Sequence, residues 1–351
     1  HTHTHTHTHT HTHTYIHTYT HTYITSRACE KEQFILSAIQ NINEIFEKQF
    51  YSSVSSKVKL LDLILIYILN RKGKQIRPIL VLLFAKMFSK GTLNEKSYRA
   101  ANLVELIHTA SLIHDDIVDD SNVRRNFLTI NALWKNRISV LVGDFFLSKA
   151  LLLSTENKDY DLLNEVSKAV KEISEGELFQ IQKSRNFNLS EEDYIILISK
   201  KTASLFSCCC KLGSISSGKN NIDDIELFGN YLGIIFQIKD DLFDFTTKRI
   251  GKPNKSDLKS QKITLPLIHS IQNSSYRDRR EIKAILKKKK YTTDNKKLVN
   301  EFIIKYNGFD YTHNKMLNYK NKAIEILEKF PNNESRDSIK TLLDYIIERK
   351  Y

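Results

Sequence analysis

The chain has 351 residues, enough for one large domain or two small ones, and 41% of them are apolar, so a sizeable core is available. Lys plus Arg exceed Asp plus Glu by 53 to 40, a net charge of +13, which points to anionic partners: nucleic acid, a membrane surface or phosphorylated small molecules. Four cysteines, Cys29 and the run Cys208, Cys209 and Cys210, exclude a disulfide framework or a zinc pattern and fit small buried residues in a reducing compartment.

In chain order, residues 1–24 use only His, Thr, Tyr and Ile, and their codons fit a translated dinucleotide repeat. Nine of the 13 histidines lie there and could bind a metal as a polyhistidine tag does. The segment has no core-forming pattern and no signal-peptide character, so residues 1–28 are expected to be a disordered or artefactual tail and residues 29–351 one domain.

From about residue 30 the apolar residues recur at helical spacing. Helices are predicted over 31–50, 58–69, 79–88, 96–119, 137–153, 161–184, 191–217, 222–246, 261–272, 295–306, 313–329 and 336–350. Only 10 Gly and 4 Pro interrupt them, and neither βαβ alternation nor a repeat appears. The lysines at 287–290 read as a solvated helix end or loop. No apolar run of about 18 residues is evident, so no membrane span is expected. The expected fold is all-α, a single helical bundle around a central cavity.

Two strings carry chemistry. HDDIVDD at 114–120 puts Asp115 and Asp119 on one helix face with Asp116 beside them, at the end of an apolar stripe. Three close carboxylates repel one another and call for a cation, and hard oxygen ligands suit Mg²⁺ shared with phosphate oxygens. DDLFD at 240–244 repeats the device with Asp240, Asp241 and Asp244, again after an apolar helix. One such string is weak evidence. Two of them, about 120 residues apart, can face each other across a helical cavity and hold several Mg²⁺ ions around one diphosphate.

With these motifs the chain resembles the trans-isoprenyl diphosphate synthases over about residues 30–351, above all in ELIHTASLIHDDIVDDSNVRR and SVLVGDF. It is most like the bacterial-type long-chain, octaprenyl-like members. The resemblance implies a Mg²⁺-dependent prenyltransferase that adds isopentenyl diphosphate units to an allylic diphosphate, with both motifs binding metal. It implies an isopentenyl diphosphate site from Lys74, Arg77, His108 and Arg125. It implies an allylic diphosphate site from Arg124, Lys201, Thr202, Gln237, Lys252 and Lys262, with Lys201 taking part in catalysis. Lys74 and Arg77 are three residues apart and can converge on one phosphate, and His108 lies two turns before Asp115 on the same face. His114 has no counterpart in the family pattern and reads as a packed histidine. Three positions depart from that pattern: Lys72-Gly73-Lys74-Gln75 stands for Gly-Gly-Lys-Arg, Asn126 follows the arginine pair, and Gln261 precedes the late lysine. None removes a charged ligand.

Ala110 and Ser111 lie about one turn before Asp115, where short-chain relatives carry bulky aromatic residues. Both are small, which favours a long product of about seven to nine isoprene units, of the kind used for quinone side chains. A short-chain synthase and a non-catalytic subunit of a heteromeric prenyltransferase are the alternatives. A terpene cyclase would lack the second DDxxD and the GKQIRP string, and the basic charge comes without a nucleic-acid-binding pattern. A cytoplasmic homodimer is expected, with loose membrane contact for product release.

Overall fold

The structure, a computed structural model, describes residues 44–70, 73, 75–124, 127–184, 189–219, 223–245, 264–287 and 292–349. The His/Thr tail and residues 31–43 of the first predicted helix lie outside these residues.

The described residues are almost entirely helical, as expected. Helix α1 covers residues 44–53. It is followed by α2 (Lys59–Leu69), α3 (Ile76–Phe88), α4 (Glu95–Val118), α5 (Ile130–Glu156), α6 (Tyr160–Ser184) and α7 (Glu191–Ile198). After a π-helical turn at Ser199–Ala203 come α8 (Ser204–Ser216), α9 (Asp223–Phe243), α10 (Leu265–Asn273), α11 (Tyr276–Leu286), α12 (Thr293–Lys305), α13 (Gly308–Leu327) and α14 (Glu334–Glu348).

Helix α8 is the centre of the bundle. Residues Leu205 to Ser214 are all buried, because α3, α4, α6 and α9 pack around the helix. Its run of cysteines and small side chains suits that crowding. Aromatic rings of α3, α9 and the α13–α14 turn close one end of this core, where Phe84, Phe228 and Phe330 meet with centroids about 6 Å apart. A smaller apolar cluster, including Leu267, Ile282, Phe302 and Ile303, joins α10, α11 and α12.

Four local features differ from the sequence reading. The predicted helix 191–217 is split by the π turn, where one residue more than an α turn is accommodated. Helix α5 begins at Ile130 rather than 137, but its backbone breaks at Lys135 (φ 68°, ψ 162°), so the predicted start marks the kink. A short antiparallel hairpin pairs Val123 with Leu128 and Arg124 with Phe127. Helix α11 was not predicted, because charged residues dominate it and only Ile282 and Leu286 are buried. Its start was marked all the same: the Ser275 hydroxyl accepts from the Asp278 N–H as an N-cap.

Helix α5 also holds an 18-residue stretch of mean hydropathy 1.6, long and apolar enough to cross a membrane, of which 33% is buried. Asp144 and Lys149 interrupt this part of the helix and hide it from a search for an uninterrupted apolar run. Leu133, Val140, Leu141, Leu151 and Leu152 are exposed along α5.

Candidate active site

Both aspartate strings fall at helix C-termini. Asp115 and Asp116 occupy the last turn of α4, whose cap is Asp119, and Asp240 and Asp241 the last turn of α9. Neither turn contains a basic residue. Helix C-termini present unpaired carbonyls and the negative end of the helix dipole, so acids there are unfavourable without a cation.

At the first motif the deficit is visible. Among the described residues, no hydrogen-bond or ion-pair partner serves the Asp115 or Asp119 carboxylate. Burial, followed by the nearby Glu177 charge, pushes the Asp115 carboxyl up to about 6, although Lys201 and Arg124 oppose the rise. Asp116 is different. It is buried, and its Oδ1 accepts from Arg124 Nε at 2.8 Å. The hairpin brings Arg124 back to α4, and Asn131 braces it by donating to the carbonyl of Ser121 at 3.1 Å. Burial raises the Asp116 carboxyl, and the Arg124 charge and hydrogen bond pull it down.

The π turn connects the two motifs. Lys201 Nζ is held by Glu177 Oε1 at 2.5 Å and Gln180 Oε1 at 3.2 Å, both on α6, and its charge reaches Asp115. The next residue, Thr202, donates to Gln237 Oε1 on α9 at 2.8 Å. Consecutive residues therefore serve opposite walls. The turn fits between the walls because glycines face it. A Cβ on Gly233 of α9 would lie 2.4 Å from Ala203 Cα, and one on Gly176 of α6 would lie 3.0 Å from the Lys201 nitrogen.

The second motif is occupied by the protein's own donors. Asp241 is 4% exposed; its Oδ1 accepts from Gln237 Nε2 at 2.9 Å and its Oδ2 from the Tyr194 hydroxyl at 2.6 Å. Asp240 Oδ1 accepts from Arg349 Nη2. The Arg349 guanidinium lies 4.3 Å from the Phe236 ring centroid and 5.8 Å from that of Phe243. Asp244 is exposed just beyond the helix.

Arg77 and His108 come together, with Arg77 Nη1 donating to His108 Nε2 at 3.0 Å. A guanidinium has no acceptor, so the imidazole must accept at Nε2 and carry its proton on Nδ1. Arg77 also lies over Phe206 (4.9 Å) and Phe236 (5.9 Å), so it shares the Phe236 ring with Arg349. The other expected ligands, Lys74, Arg125, Lys252 and Lys262, lie outside the described residues. Ala110 is buried in the α4 core, and the Ser111 hydroxyl is turned back onto the Ile107 carbonyl at 3.0 Å. His114 packs over Gly143 of α5.

Sequence reasoning missed Glu177, Gln180, Tyr194 and Arg349. No motif marks Tyr194 or Arg349. Gly176 before Glu177 was a usable signal, since a glycine inside a long helix calls for a close neighbour.

Carboxylate oxygens without protein donors are the donor set of a hard divalent ion, and among the described residues Asp115 and Asp119 have none. The charges of Arg124 and Lys201 beside Asp115 suit a phosphorylated ligand.

Comparison with known proteins agrees. Residues 58–303 match the polyprenyl synthetase family. The chain is 33% identical over 312 residues to heptaprenyl diphosphate synthase component 2 of Bacillus subtilis, covering 88% of each chain. It is 31% identical over 319 residues to the octaprenyl diphosphate synthase of Haemophilus influenzae, covering 89% of this chain and 94% of that one. A polyprenyl synthase from Caulobacter crescentus, crystallised with calcium and isoprenyl diphosphate, superposes with a TM-score of 0.83 at 29% identity, covering 91% of this chain and 98% of that one. The chain belongs to the polyprenyl synthetase family and is a prenyltransferase, a trans-prenyl diphosphate synthase.

Proposed function

We propose that the protein is a Mg²⁺-dependent all-trans polyprenyl diphosphate synthase that condenses an allylic diphosphate with successive isopentenyl diphosphates to a product of about C35–C45, for quinone side chains. The observation that carries this reading is the unbalanced carboxylate pair Asp115 and Asp119, set opposite Lys201 on the shared π turn. Among the described residues no three acidic, histidine or cysteine side chains close a metal site by themselves. An ion held here would complete its shell with phosphate oxygens and water, the habit of Mg²⁺. The calcium and isoprenyl diphosphate of the Caulobacter relative support the same pairing of ligands.

Asp115, Asp119, Asp240 and Asp244 would hold the metal, with Asp116 and Asp241 beside them, and the metal when bound would supply the charge that draws the diphosphate off the allylic carbon. Arg124 and Lys201 stabilise the negative charge that grows on the leaving oxygen as the C–O bond breaks. Arg77 and His108 orient isopentenyl diphosphate, so that its double bond forms the new C–C bond. A proton then leaves the adjacent carbon for the released diphosphate. The apolar walls exclude water, which would quench the cation. Lys74, Arg125, Lys252 and Lys262 are the further cations of this scheme.

Small side chains at Ala110 and Ser111 favour the long product. Relatives at similar identity include a short-chain isoprenyl diphosphate synthase from Methanothermobacter thermautotrophicus, so a short-chain product is the second reading. The exposed apolar row on α5 supports a homodimer; the heteromeric alternative follows the name of the Bacillus relative, a component 2. Buried, unpaired Cys208, Cys209 and Cys210 fit a reducing compartment, and we place the enzyme in the cytoplasm, with loose membrane contact on product release.

The test is incubation with farnesyl diphosphate, labelled isopentenyl diphosphate and Mg²⁺, with products separated by length. A ladder well beyond twenty carbons is expected. A stop at fifteen or twenty carbons selects the short-chain reading, and no incorporation from any allylic starter selects a subunit that needs a partner.

A further inference from the structure

The three aspartates of the second motif have different surroundings. Asp241 points inward, with a protein donor on each carboxylate oxygen. Tyr194, one of these donors, is 2% exposed and belongs to α7. An ionised carboxylate can only accept, so the Tyr194 hydroxyl is the donor in this 2.6 Å bond.

These bonds form one chain. Thr202 donates to Gln237, Gln237 donates to Asp241, and Tyr194 donates to the other Asp241 oxygen. The last turn of α9 is thereby tied both to the π turn and to the helix that leads into it. This turn ends the helix at Phe243, where an unrestrained end would fray. Successive helical residues point about 100° apart. Fixing Asp241 toward the core therefore fixes where Asp240 points, and Asp244 follows through its N–H bond to the Asp240 carbonyl at 3.2 Å.

We propose that Tyr194 is a positioning residue for the second aspartate motif: its hydroxyl locks Asp241 inward and so aims Asp240 and Asp244 at the diphosphate-bound metal. This inference rests on the reading of the site given above. Tyr194 acts through Asp241 and not on substrate.

The experiment compares the wild type with Tyr194→Phe in initial rates across a Mg²⁺ titration at saturating substrates. Outer donors of metal-site carboxylates contribute about tenfold or more. The Mg²⁺ concentration for half-maximal rate should rise about tenfold and kcat should fall. KM for isopentenyl diphosphate should stay within about twofold, because Arg77 and His108 are untouched. A purely structural role would lower the active fraction and leave half-saturating Mg²⁺ unchanged, and that result overturns the proposal. If Tyr194→Phe does not fold, 3-fluorotyrosine at position 194 keeps the hydroxyl. Its ¹⁹F resonance should move when Mg²⁺ and inorganic diphosphate are added, and a stationary resonance overturns the proposal. A wild type without metal-dependent incorporation overturns the reading of the site itself; an active wild type matched by Tyr194→Phe overturns only the role of Tyr194.

Discussion

At the end of α4, Asp115 and Asp119 have no donor among the described residues, and burial with Glu177 pushes Asp115 up to about 6. At the end of α9, Asp240 is met by Arg349, and Asp241 by Gln237 and Tyr194. The spacing of the aspartates is the same in both places. One motif stores unbalanced negative charge, and the other has its charge distributed into the surrounding protein. The comparison teaches that a DDxxD string fixes which carboxylates share a helix face, while the helices packed against it decide what those carboxylates are ready to bind. The first motif leaves two carboxylates without a donor among the described residues; the second has its donors already in place.

The largest test of this contrast is Asp115→Asn. Activity should fall by about 10³-fold, as expected when charge stabilisation of a leaving group is removed. The metal-free protein should melt at a higher temperature, because a buried, uncompensated carboxylate is gone. A lower melting temperature would show that Asp115 is already balanced. Gly233→Ala should come next. Its methyl would press on the π turn that both motifs share, at a cost of about 1–3 kcal/mol, and activity should drop without either aspartate being changed; chemical denaturation and steady-state rates report the two effects.

Arg349→Ala probes the second motif alone. Loss of the guanidinium from Asp240 and from the Phe236 and Phe243 rings should lower stability by about 1–3 kcal/mol. Asp240→Asn should remove most of that penalty in a double-mutant cycle, and additive losses would show that the pair does not couple. The smallest effect is one of pH. Asp115 holds its proton more tightly in the fold than its ordinary value of 3.8 allows, so its stabilising contribution is full below about 4 and is lost as pH rises through about 6. Metal requires the deprotonated form. Thermal melts should therefore show a small gain from Mg²⁺ plus diphosphate at pH 5 and a larger one at pH 7.5. Equal gains would remove Asp115 from the linkage.

The helices were legible wherever an apolar stripe faced the core, as in α4 and α9, and both motifs were legible because their partners lie four residues apart on one helix. Helix α11 was hidden by its charge. The π turn was hidden because Ser199–Ala203 looks like ordinary helix; only packing against Gly176 and Gly233 shows why the chain widens there. Tyr194 and Arg349 reach their aspartates from 47 and 109 residues away, and no local pattern encodes such a meeting. Lys201 and Thr202 were found through family resemblance, whereas their opposite allegiances emerge only in three dimensions.

The π turn can also be viewed as an edit. Helix α7, the turn and α8 form one continuous rod from residue 191 to 216. A π turn is an α-helix carrying one residue too many. Deleting a single codon between 199 and 203 would let the rod run on as plain α-helix and rotate α7 by about 100° relative to α8. Lys201 and Thr202 would lose their separate walls while α8 kept the core intact. The shortest genetic step from catalyst to inert paralogue would then leave every aspartate in place, invisible to any reader who judges such proteins by their DDxxD strings.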